Sequence, residues 1–303
     1  MTFDRNEILL KYPWLKDRDR SFIVSASYDG LICASFLAHY FHWNLEGYYD
    51  LSSIWLSDKA IKKGKELIWV DLNILPLKAK SIGGHIVSLD GTIPNGFKSS
   101  CNPNILAELT IKDFKSKFPL STLIFLLWLH DIKIRDNIIA RLLVLNSDDT
   151  WLKIQNYTDN VNKWEKILGN YNWKKLFKGV NSKAFEKDID TLLYPDIHSS
   201  YIKTKYGKLT SKHMKIKSRQ VTFNPDWDLD IINVLLDEFA EHLSWTKPKV
   251  PQIIKSIDGE SCKLKIKDVR DIGIDKAIKK YKIFSYAFSS SNIFSYTSFD
   301  SFT

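Results

Sequence analysis

Residues 21–41 read SFIVSASYDGLICASFLAHYF, and how this stretch folds decides the architecture. Ser21–Val24 has the composition of a buried strand, and LICASFLAHYF has the apolar spacing of a helix. Between them the hydrophobic run is broken by one carboxylate and one glycine, Asp29-Gly30. A strand, a sharp turn and a helix bring a strand end and the first backbone amides of a helix to one place, which suits chemistry or ligand binding.

The same alternation continues outward. LSSIWLS (51–57) reads as a strand, DKAIKKGK (58–65) as a short basic helix, and ELIWVDLNI (66–74) and SIGGHIVSL (81–89) as strands. Short apolar runs at this spacing predict an α/β fold, a mostly parallel sheet flanked by helices. From Asn102 the pattern turns helical, in PNILAELTIKDF, PLSTLIFLLWLHD, NIIARLLVL and NVNKWEKILGNY. The composition shifts again beyond about residue 180. Residues 1–180 are expected to form the α/β domain with a helical extension, and 181–303 a smaller, basic α+β domain. In the latter, DLDIINVLLDEFAEHLSW is an amphipathic helix, and QIIKSIDGESCKLKIKD has the alternation and central Asp258-Gly259 of a hairpin. The tetrapeptide IFSY occurs at Ile283 and again at Ile293 around a serine-rich turn, which predicts a second hairpin. That hairpin offers an edge for pairing with a protein partner, or is an ordinary sheet closure.

The chain has 303 residues, 44% of them hydrophobic, enough for a substantial core. Its 44 basic against 35 acidic residues leave a net charge of +9, which favours a polyanionic partner. Cys33, Cys101 and Cys262 are scattered and form no CxxC pair, which argues against a disulfide framework or zinc ribbon and fits a cytoplasmic protein. No signal pattern opens the chain. The most apolar run, LSTLIFLLWL, has half the length of a membrane span, so no membrane is expected. GxxxxGK[ST], GxGxxG and GxSxG elbows are absent.

Four features carry candidate chemistry: SYDG with Asp29; Asp71, closing ELIWVD; IGGHIVSL with His85, followed by SCNPN (100–104); and LNSDDTW with Asp148 and Asp149. In a parallel sheet the carboxyl ends of the strands share one edge, so Asp29, Asp71 and His85 can meet there. With Asp148 they would make a shell for a divalent cation, Mg²⁺ or Mn²⁺, the imidazole tilting the choice toward Mn²⁺. Each residue also has a plain role. Asp29 is a turn former, Asp71 a helix cap, His85 a structural histidine and Asp148 a loop residue.

The order of these motifs resembles the DHH phosphoesterase superfamily, and within it the RecJ-type single-strand exonucleases, over roughly residues 20 to 165. Asp29 and Gly30 match the end of the HxDxDG signature, Asp71 the strand-terminal aspartate, and His85 one histidine of the DHH tripeptide. CNPN matches the turn that follows, and Asp148 the last aspartate. Ser25 and Ser27 stand where the signature has its histidine and first aspartate, and Gly83-Gly84 replace the other DHH residues. No late GGGH-type motif is present. The resemblance implies a metal-dependent phosphodiesterase or nuclease acting on single-stranded DNA, RNA or small nucleotides. Asp29, Asp71 and His85 would be catalytic, and with Asp148 would hold Mn²⁺ or Mg²⁺, as one ion or none. The lost groups imply the alternative of a catalytically degenerate binding or regulatory subunit of a larger complex. A nucleotide sensor without turnover is a third.

Finally, YIKTKYGKLTSKHMKIKSRQ (201–220) holds Lys203, Lys205, Lys208, Lys212, Lys215, Lys217 and Arg219 and no acid. Extended or helical, it presents several positive groups to a phosphate backbone, with Tyr201, Tyr206 and His213 interleaved for stacking. The plain reading is a solvated basic loop balanced by the acidic helix after it.

Overall fold

A computed structural model of the chain describes residues 1–195, 204–288 and 292–300, and excludes the side chains of 204–208, 218 and 219. Contacts group the residues into two compact units. Met1–Asp17, Ala26–His42 and Pro119–Val250 form a helical unit; Arg18–Ser25, Trp43–Phe118 and Pro251–Thr303 form a sheet unit. Where composition suggests a linear division near residue 180, each unit is drawn from three separate stretches of chain.

Among the described residues the strands are β1 (Ser21–Ser25), β2 (Asn44–Tyr49), β3 (Ser53–Leu56), β4 (Ile68–Val70), β5 (Lys80–Ile82), β6 (Thr204–Thr210), β7 (Lys217–Val221), β8 (Lys255–Asp258), β9 (Glu260–Lys265), β10 (Ile283–Phe288) and β11 (Ile293–Ser298). The sheet unit is built on a six-stranded sheet in the order β5-β4-β1-β2-β3-β8. The ladders β1–β2, β1–β4 and β4–β5 are parallel; β2–β3 and β3–β8 are antiparallel. The fold is thus α/β with a mixed, mostly parallel sheet. Phe22, Ile23 and Val24 are fully buried, as a central strand covered on both faces requires.

The antiparallel end of the sheet departs from the sequence reading. NLEGYY, which the sequence pattern leaves unassigned between a helix and a strand, forms β2, reached from β1 through the helix Tyr28–Phe41. Asp50 then turns the chain back into β3, its Oδ1 accepting from the amides of Ser52 at 2.8 Å and Ser53 at 2.7 Å. Gly47 is required in β2, because a Cβ there would lie 2.2 Å from the Trp55 carbonyl oxygen.

Asp258-Gly259 is not a hairpin turn. β8 pairs with β3 and β9 with β11, so the chain passes through Gly259 from one sheet to another. A Cβ on Gly259 would lie 2.7 Å from the Phe299 ring. The IFSY repeat does form an antiparallel pair, with Tyr286 opposite Tyr296, in a three-stranded sheet ordered β10-β11-β9. Residues 289–291 of its turn lie outside the described residues. β11 is central, and the Phe284 carbonyl of β10 accepts from Leu75 N at 2.7 Å.

In the helical unit, TLIFLLWL forms the helix Thr122–Leu129, every residue of it buried and its start capped by Ser121. The helix Leu229–Leu243 buries Ile231, Ile232, Leu235, Leu236, Phe239 and Leu243. It packs on the helix Tyr28–Phe41, where Tyr28 and Phe239 meet edge to face at 5.1 Å. The basic segment is extended: β6 and β7 pair antiparallel, Lys205 opposite Gln220 and Thr210 opposite Lys217. Among the described residues no helix is long and apolar enough to cross a membrane.

Candidate functional site

The expected site residues fall into two pairs, one in each unit. In the sheet unit, β1, β4 and β5 run parallel and end at one edge. Ser25 closes β1, Asp71 follows β4, and Gly83-Gly84-His85 follow β5. The Asp71 carboxylate is buried and bonds side chains from β1 and from the loop after β5. Its Oδ2 accepts from Ser25 Oγ at 2.6 Å, and its Oδ1 lies 3.0 Å from Nε2 of the half-exposed His85. Asp71 adopts φ 60°, a left-handed conformation that aspartate tolerates better than most residues.

His85 lies in a loop rather than in a strand, since β5 ends at Ile82. The NPN turn carries that loop. Asn104 Nδ2 donates to the carbonyls of Gly84 (2.7 Å) and Ile86 (3.1 Å), while its Oδ1 accepts from Phe118 N at 2.6 Å. Asn102 Nδ2 donates to Ile86 O and to Asn73 Oδ1, both at 3.1 Å, and its Oδ1 caps the short helix Pro103–Leu106. Both asparagines are buried. Gly83 and Gly84 are glycines because of packing. A Cβ on Gly83 would lie 2.9 Å from Leu72 O, and one on Gly84 2.8 Å from the Phe118 ring. The positions of the first two DHH residues therefore have no room for side chains in this loop.

In the helical unit, Ser27 caps the helix Tyr28–Phe41, its Oγ accepting from Gly30 N at 3.3 Å. One of the helix amides that a ligand would use is thereby taken. Asp29 lies in the first turn of that helix, not in a free turn. Its Oδ1 accepts from the backbone amide of Asp148, and the Lys153 ammonium bonds the Asp148 carboxylate. Asp148 and Asp149 are consecutive left-handed residues, φ 49° and 50°, which is how the chain reverses between the helices Ile138–Asn146 and Thr150–Asn156. Burial pushes the neighbouring Tyr28 phenol well above its ordinary pKa, and the Asp29 charge adds to this. The phenol donates to Leu143 O at 2.8 Å.

The structure thus joins Asp71 with His85, and Asp29 with Asp148. Ser25 and Lys153 are the partners that sequence reasoning did not assign; the only signal for Ser25 was its place in the degenerate signature. Among the described residues no three His, Cys, Asp or Glu side chains gather to hold a metal ion.

The basic hairpin belongs to the helical unit and reaches the same turn. Thr222, just beyond β7, bridges antiparallel to Ser27, and Phe223 N donates to Ala26 O at 3.3 Å. β7 also packs on the Ser147–Asp149 turn. At the other end the hairpin is clamped by buried polar groups. Met214 N donates to Oε2 of the fully buried Glu186 at 3.0 Å, Lys212 N to Gln155 Oε1 at 3.4 Å, and Gln155 Nε2 to Glu186 Oε1 at 2.8 Å. Lys212, Lys215 and Lys217 are exposed. Tyr201 and Lys203 lie outside the described residues, as do the side chains of Lys205, Tyr206, Lys208 and Arg219. No family model, curated protein or solved structure matches the chain.

Proposed function

We propose that this protein binds single-stranded nucleic acid without cleaving it, as a catalytically reduced member of the DHH-like fold. The observation that carries this reading is the Thr222–Ser27 bridge, which attaches a basic, two-stranded arm to the SYDG turn. A phosphate backbone laid along the arm would meet Lys212, Lys215 and Lys217 and run toward that turn. The groups there have structural work. Ser27 caps a helix, the Asp29 carboxylate holds the Asp148 amide, and Lys153 neutralises Asp148.

The metal chemistry of the DHH enzymes does not fit these residues. A two-metal site draws on several carboxylates and histidines, whereas here Asp71 and His85 pair with each other and an ammonium already serves Asp148. Binding without turnover suits a subunit of a larger assembly, in which another component performs the chemistry. A second reading, a phosphodiesterase, draws on one observation: a half-exposed imidazole held by a buried carboxylate at a sheet edge.

Fluorescence anisotropy with labelled 12-nucleotide DNA and RNA, titrated across salt, tests the first reading. We expect affinity to fall steeply with salt. Changing Lys212, Lys215 and Lys217 together to Ala should lower the log–log slope by about 2. Salt-insensitive binding, or none, overturns it. Fragments produced with Mn²⁺ by the wild type but not by Asp71→Ala would replace it with the second reading.

A further inference from the structure

The far end of the basic arm faces a cleft that the phosphate-binding reading leaves unused. It has a volume of about 460 Å³, and its walls include Gln155, Asn156, Tyr157, Thr158, Asp159 and Lys212. That volume falls within the range of small-molecule sites. All of the lining except Lys212 comes from the junction of the helices Thr150–Asn156 and Thr158–Leu168. Tyr157 sits at the joint, half-exposed at 51%, and its ring makes no aromatic contact among the described residues. Lys212 is exposed and has no ion pair among the described residues.

The walls are held rigidly. Asn156 spends both amide hydrogens, on Leu152 O at 2.9 Å and on Thr210 O at 2.8 Å, and so ties the helix to β6. Lys212 N is held by Gln155, itself 1% exposed. Thr158 Oγ1 donates to Ile154 O at 2.9 Å. Immobile walls lower the ordering cost of binding.

The lining chemistry differs from that of the arm. One ammonium and one carboxylate leave the cleft without net charge, so it has no preference for a second phosphate. A planar phenol, a carboxylate and side-chain amides are what a nucleobase uses: a face to stack on and acceptors for an exocyclic amino group. We propose that this cleft takes one base of a strand whose phosphates lie along the hairpin. The base stacks on Tyr157, Asp159 accepts from its amino group, and Lys212 at the rim meets its phosphate. The proposal rests on the hairpin reading above.

The test compares the wild-type protein, Tyr157→Ala and Tyr157→Phe. Each is titrated with a labelled 12-nucleotide cytosine strand and with an abasic strand of the same length. Because Tyr157 is half-exposed, both variants should keep the wild-type melting temperature. We expect Tyr157→Ala to weaken binding of the cytosine strand about tenfold, leave the abasic strand unchanged, and be rescued by Tyr157→Phe. Equal affinity of the wild type for both strands, or an unchanged Tyr157→Ala, overturns the base site while the hairpin reading stands. Absence of binding to either strand overturns both.

Discussion

Replacing Asn104 by Ala would release the loop that carries His85. The side chain is buried and makes three hydrogen bonds: two donated to Gly84 O and Ile86 O, and one accepted from Phe118 N. Ile86 O keeps Asn102 Nδ2 as a partner, but Gly84 O and Phe118 N would each lose this hydrogen bond at a buried position. Each buried backbone hydrogen bond lost in this way costs about 1–3 kcal/mol, so the loss should be about 4 kcal/mol. With a slope of about 3 kcal/mol per molar, the urea midpoint should fall by more than about 1 M. Asn104→Asp keeps the acceptor for Phe118 N but turns an oxygen toward two carbonyls, and should be no better. Hydrogen exchange adds a local readout: amides 83–88 should lose protection in both variants before the rest of the sheet unit. A midpoint shift below about 0.3 M with unchanged exchange would show that something other than this network holds the loop.

Two further outcomes follow from single residues. Burial lowers the pKa of His130 to about 4, among Phe36 and Phe41, and its buried Nε2 has no hydrogen-bond partner among the described residues. The folded state therefore resists a proton that the unfolded chain accepts near pH 6.5. The stability tied to this group is intact above about pH 6.5 and is lost as the pH falls toward 4. The span is at most about 3 kcal/mol, and thermal melts of the wild type against His130→Phe across that window should show it. Gly83→Ala places a methyl 2.9 Å from Leu72 O, which is backbone and cannot swing aside. We expect a loss of about 2 kcal/mol or more by urea unfolding, where an ordinary loop glycine would lose nothing.

What the sequence disclosed follows from the range of the forces involved. The strand SFIV, the helix after it and the IFSY hairpin were legible because local periodicity and turn chemistry decide them. The position of Asp71 at a strand end was legible for the same reason, and with it its meeting with His85. NLEGYY was not legible, because its strand character comes from β1 and β3 on either side rather than from its own pattern. Asp258-Gly259 has the chemistry of a tight turn but follows long-range pairing, which no local signal announces. Lys153 was missed for a related reason. A lysine five residues after an aspartate is unremarkable until two left-handed residues fold the chain back between helices.

The three-piece construction of the sheet unit bears on how the chain is made. The first five strands emerge from the ribosome well before β8, separated from it by the whole stretch Pro119–Val250. At ordinary elongation rates that interval lasts roughly ten seconds. Throughout it the outer backbone edge of β3 has no β8 to pair with, and an unpaired strand edge invites pairing with other chains. The nascent protein therefore carries an open edge until the strand that closes it has been made.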